Sequence, residues 1–150
     1  MLGIDAGTWG VAANVATVLG FAAAALAALG TLWQVSSARA VQREVSAKQV
    51  YAGVLRLAFD HPEYAEPSGD IHKDAQHAKR YAWFVSNILN SLEEILLTVR
   101  GPQWRALIRL LLSYHATYLR SGEFRGPELS TYSPQLRRLI DEACAAETGP

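Results

Sequence analysis

The stretch GVAANVATVLGFAAAALAALGTLW, Gly10 to Trp33, lies inside a longer run, residues 6 to 38, that holds no charged side chain. As a helix its 24 residues rise about 1.5 Å each and reach roughly 36 Å, against a hydrocarbon core about 30 Å thick. The run predicts a transmembrane helix. Working outward, residues 1–38 are a tail and an anchor, and residues 39–150 are a domain confined to one side of a membrane. A secretory signal competes for the same residues, because Ser37-Ala38-Arg39-Ala40 loosely matches a cleavage site. Against it, the region before the run carries Asp5 and no Lys or Arg, the apolar stretch outlasts a signal's, and Arg39 occupies the cleavage position. Positive charge follows the span, at Arg39, Arg43 and Lys48 with Glu44 opposing. Lys and Arg flanking a span mark its cytoplasmic side, so the expectation is a single-pass inner-membrane protein with its N-terminus outside and its domain in the cytoplasm.

Over the whole chain 14 Lys and Arg face 14 Asp and Glu, a balance without the basic excess of a nucleic-acid footprint. The one cysteine, Cys144, excludes a disulfide framework or a thiolate metal site and suits a reducing compartment.

Within the anchor, Gly10, Ala13, Thr17, Gly20, Ala24, Ala27, Thr31 and Gln34 recur at alternating intervals of three and four. All are small or polar, while Val11, Val15, Val18, Leu19, Leu26, Leu29 and Trp33 fall elsewhere. Helices in lipid associate through close approach of small residues and through hydrogen bonds, so the seam from Gly10 to Thr31 predicts a homo-oligomer. Asn14 flanks it, and a carboxamide at that depth needs a partner or water. In a pore, Asn14, Thr17, Thr31 and Gln34 would face the water. The competing reading is an alanine-rich tether whose small residues reflect composition alone.

Helical spacing continues beyond the anchor through Ala47, Val50, Val54 and Leu57, and Pro62 ends the helix by Asp60. A loop from His61 to Asp70 follows. A second helix is expected from Lys73 to Val99, with Tyr81, Phe84, Ile88, Leu92, Ile95 and Val99 inward. Gly101 and Pro102 stop one helix and start the next, a third that buries Trp104, Ile108, Leu111 and Tyr118. Ser133 as N-cap and Pro134 as first helical residue open a last helix through Leu136, Leu139 and Ile140. No segment alternates like a strand. The fold class is all-α: one transmembrane helix continuous with a small cytoplasmic bundle.

The membrane-proximal marks Leu57-Ala58-Phe59-Asp60-His61-Pro62-Glu63-Tyr64, with Tyr81-Ala82-Trp83-Phe84, Asn87 through Glu93, Trp104, Tyr132, Leu136 and Ile140, resemble a pattern in bacterial single-span proteins with a small helical domain. The layout is also similar to the membrane accessory proteins of type VI-B CRISPR systems. These are HEPN-like pore formers, so the resemblance implies an oligomeric membrane effector of antiviral defence and a protein partner within the defence system. HEPN nucleases use an Arg and a His four to six residues apart, which here fits Arg56 with His61 and Arg109 with His115. That implies the alternative of a membrane-tethered ribonuclease. On an ideal helix Arg109 and His115 lie about 120° apart, and His115 falls on the apolar stripe, so its competing reading is an interior hydrogen-bonded histidine. A non-catalytic adaptor recruiting a cytoplasmic partner is the third possibility.

His61, Glu63, Asp70, His72, Asp74 and His77 crowd one loop and helix start, but no recognised metal spacing such as H-E-x-x-H is present and no cofactor motif accompanies it. Asp60 and Glu63 are placed to cap the turn at His61. Trp9 and Trp33 bracket the span as interfacial anchors, and Trp83 and Trp104 are expected in the bundle core or an oligomer contact.

Overall fold

The structure, a computed structural model, describes residues 6–65 and 74–146, side chains of residues 6–16, 18 and 22 excepted. Among the described residues it is all-helical, without a strand. The helices are α1 (Ala6–Asp60), α2 (Pro62–Ala65), α3 (Ala75–Thr98), α4 (Pro102–Ser113), α5 (Ala116–Leu119) and α6 (Pro134–Ala146). The chain divides into two units, Met1–Gln42 and Arg43–Pro150.

In the first unit, α1 is long and apolar enough to cross a membrane, with mean hydropathy 1.5 over its most apolar window and none of that window buried. Phe21, Leu26 and Trp33 are each 70% exposed or more, so no described residue covers them.

In the second unit, the end of α1 enters a core organised by α3. Ala47 and Val54 of α1 are buried with Tyr81, Phe84, Ile88, Leu92 and Ile95, the face of α3 that helical spacing selects, while Val99 packs at its edge. α4 packs against α6, and α3 contacts both. Ile108 and Leu112 from α4 and Leu136, Leu139 and Ile140 from α6 fill that interface, with Trp104 and Leu111 half-buried. Trp104 ties α4 to α1: its ring meets Tyr51 edge-on at 6.2 Å and its Nε1 donates to Glu44 at 3.2 Å. Trp83 departs from the core expectation. It stands on the outer face of α3, 66% exposed.

The helix ends follow local chemistry. Asp74 caps α3 by accepting the Gln76 N–H at 3.0 Å, and Gly101 with Pro102 opens α4. Ser133 accepts the Leu136 N–H at 3.3 Å, and its own N–H donates to Glu93 at 2.6 Å, so α3 and α6 share a cap.

Three features differ from the sequence reading. The expected third helix breaks at Tyr114 and His115, where the His115 N–H bonds to Leu112 O at 3.1 Å, and α5 resumes afterwards. The loop expected after His61 begins with the helical turn α2. The loop before Ser133 is wound into a π turn, Phe124–Glu128, and a 3₁₀ turn, Leu129–Thr131. Phe124 is fully buried there, and Glu128 accepts from Ser86 at 2.5 Å and from Tyr118 at 3.3 Å. Burial first, and the Glu128 carboxylate second, push the Tyr118 phenol up, so it stays a donor.

Candidate functional site

Pro62 disfavours helical backbone at the residue before it, so α1 stops at Asp60, although the His61 N–H still reaches Leu57 O at 3.1 Å. Pro62 then starts α2, and the Tyr64 N–H bonds back to His61 O at 3.0 Å. His61 is thus fixed in the corner between two helices. Glu63 does not cap with Asp60 there; its carboxylate lies 3.6 Å from His61 Nδ1, with both side chains 49% exposed. A pair this open contributes little to stability.

α2 places Tyr64 inward, where its ring lies 4.9 Å from His77, 6.0 Å from Tyr81 and 5.5 Å from Phe84. Phe84 takes edge contacts from His61 at 6.4 Å and from His115 at 5.9 Å. Three histidines distant in sequence therefore gather on one aromatic cluster. They differ in setting. His115 is 3% exposed, its Nδ1 lies 2.8 Å from Tyr81 Oη, and burial pulls its pKa down to about 4. Burial also pushes the Tyr81 phenol up, so the two form a neutral pair joined by a hydrogen bond.

Beside His61 opens a cavity of about 330 Å³. Leu57, Tyr64 and Phe84 make its apolar floor, His61 and Glu63 one lip, and Arg80, Trp83 and Asn87 the other, one stripe of α3. Arg80 has no hydrogen-bond or ion-pair partner among the described residues. A cation, an open imidazole and an exposed indole around 330 Å³ can hold an anionic group against Arg80 with a proton donor or acceptor at His61.

Of the two Arg and His pairs, Arg56 is exposed and does not line the cavity at His61; Arg80 takes that place. Arg109 pairs with Glu142 on α6 at 3.3 Å, whereas His115 is enclosed against α3, so the fold does not bring Arg109 and His115 together. Sequence spacing gave no sign of Arg80 because it reaches His61 only through the packing of α3 against α2.

Along the anchor seam, the side chains of Gly10, Ala13 and Asn14 lie outside the described residues. Thr17, Gly20, Ala24, Ala27, Thr31 and Gln34 are exposed, and a Cβ added at Gly20 would meet nothing within 4 Å. The Thr31 hydroxyl donates back to Ala27 O at 2.9 Å. Among the described residues no three His, Cys, Asp or Glu side chains converge to hold a metal ion. Asp70 and His72 lie outside those residues, and Asp74 is engaged as a cap. Comparison of the chain with protein-family models, with curated proteins and with solved structures finds no significant match.

Proposed function

We propose that the chain is a single-pass inner-membrane protein whose anchors assemble into a homo-oligomer, an effector that opens a pore in bacterial antiviral defence. The observation that carries the membrane reading is the uncovered apolar surface of α1. Leu19, Phe21, Leu26, Leu29, Leu32 and Trp33 are all more than 60% exposed. Leaving such a side chain in water forgoes about 2 kcal/mol, so six forgo on the order of 10 kcal/mol, as much as the whole stability of a small domain. Lipid removes that penalty. Arg39, Arg43 and Lys48 orient the domain toward the cytoplasm. The seam of small residues supports assembly, because it offers close backbone approach and, among the described residues, a Cβ added at Gly20 meets no neighbour within 4 Å. The pore and the defence role rest on the resemblance in layout to the type VI-B accessory proteins.

The membrane-tethered ribonuclease is favoured by one observation, the cavity that sets Arg80 across from His61. It gives the domain a cation and an open imidazole on facing lips of one cavity. Full-length protein purified from membranes separates the readings. A multimer that permeabilises vesicles supports the effector. RNA cleavage lost in His61→Ala and Arg80→Ala makes the protein an enzyme, and a monomer with neither activity makes it an adaptor.

A further inference from the structure

The chain has no net charge, yet α4 and α6 bring three arginines and one glutamate to a single cavity. A cavity of about 430 Å³ between these helices is lined by Arg105 and Arg109, one turn apart on α4, and by Arg138 and Gln135 on α6. A second, of about 300 Å³, shares Arg105 and Arg109 and adds Arg100. The two make one trough holding four guanidinium groups. Its one carboxylate, Glu142, is already engaged by Arg109 at 3.3 Å. Arg100, Arg105 and Arg138 have no hydrogen-bond or ion-pair partner among the described residues. With Glu142 taken up by Arg109, the other three guanidinium groups repel one another, and a multivalent anion relieves this more effectively than separate monovalent ions.

We propose that this trough binds a small ligand carrying two or more linked phosphate groups. Guanidinium forks match phosphate oxygens in bidentate geometry, and two adjoining cavities that share Arg105 and Arg109 suit neighbouring phosphates on one ligand. Among the described residues neither cavity is lined by an aromatic ring, so the phosphates, and not a stacked base, are what the trough recognises. That chemistry occurs in nucleoside di- and triphosphates and in diphosphate lipid headgroups. A single-stranded nucleic acid fits less well, because it calls for stacking platforms that the trough lacks.

The test is calorimetric titration of full-length protein in nanodiscs at physiological salt with inorganic tripolyphosphate and with orthophosphate. Tripolyphosphate is expected to bind at least tenfold more tightly. Arg105→Gln and Arg138→Gln, which break no ion pair, should each weaken it tenfold or more, while Lys79→Gln on exposed α3 surface should not. Binding of ATP or GTP in competition with tripolyphosphate identifies a nucleotide as the source. Competition from cardiolipin placed in the nanodisc identifies a lipid. Equal binding of the two inorganic anions, or unchanged tripolyphosphate affinity in both arginine variants, overturns the proposal, as does RNA binding that tripolyphosphate fails to displace.

Discussion

Tyr81 Oη and His115 Nδ1 lie 2.8 Å apart in the buried centre of the helical domain and join α3 to the break between α4 and α5. Burial of His115 makes the stability of the domain depend on pH. His115 is neutral in the folded protein down to about pH 4 but titrates near 6.5 when unfolded. Between those values the unfolded chain binds the extra proton. The contribution of His115 to stability is therefore full above pH 6.5 and is lost as pH drops toward 4, by about 3 kcal/mol in total. Thermal melts of the detergent-solubilised protein across this range should show that slope. His115→Gln, which keeps a group able to bond Tyr81, should flatten it.

Removing the phenol isolates the hydrogen bond. Tyr81→Phe leaves His115 buried without its partner and should lower stability by about 1–3 kcal/mol at pH 7.5, read by chemical denaturation. An unchanged midpoint would mean that the imidazole is satisfied elsewhere.

Core packing gives a sharper contrast within one helix. Leu92 is fully buried and Leu97, on the same α3, is 78% exposed. Leu92→Ala should cost about 2–5 kcal/mol, whereas Leu97→Ala should stay within about 0.5 kcal/mol.

Much of this fold was legible from spacing and punctuation. Tyr81, Phe84, Ile88, Leu92 and Ile95 recur at helical intervals, and Pro62, Gly101 and Pro102, and Ser133 and Pro134 mark ends through backbone effects that act locally. The break at His115 and the burial of Phe124 left no local mark, because contacts from α3, through Tyr81 and Ser86, accompany them. The candidate site was half legible. His61 stood out beside its proline, and His115 lay on the apolar stripe as an interior residue would. Arg80 and the arginine trough did not emerge, since the packing of α3 on α2, and of α4 on α6, brings together charges that composition averages to zero. Trp83 stands outside the core for a related reason: an aromatic ring on a helix predicts burial only when its own face is known.

Catalysis and structure part at the histidines. Arg56→Ala, His61→Ala and Arg80→Ala fall on exposed side chains and should leave the melting temperature unchanged. His115→Ala should lower it, with or without any activity. Loss of RNA cleavage in His61→Ala at unchanged stability would establish an enzyme; absence of cleavage in the wild type leaves the effector reading in place.

Added bulk tests the anchor seam. Gly20→Leu and Ala24→Leu place large side chains where neighbouring helices are expected to touch, and both should shrink the oligomer while insertion persists. Val18→Leu, off the seam, should not. Asn14→Leu should assemble yet conduct less, because a hydrophobic constriction dewets.

The most direct measurement is the mass of full-length protein extracted from membranes in native nanodiscs and weighed particle by particle. Particles holding several copies, reduced in number by Gly20→Leu, are the expected result. Particles holding one copy, or a protein recovered wholly in the soluble fraction, would contradict a membrane-assembled oligomer.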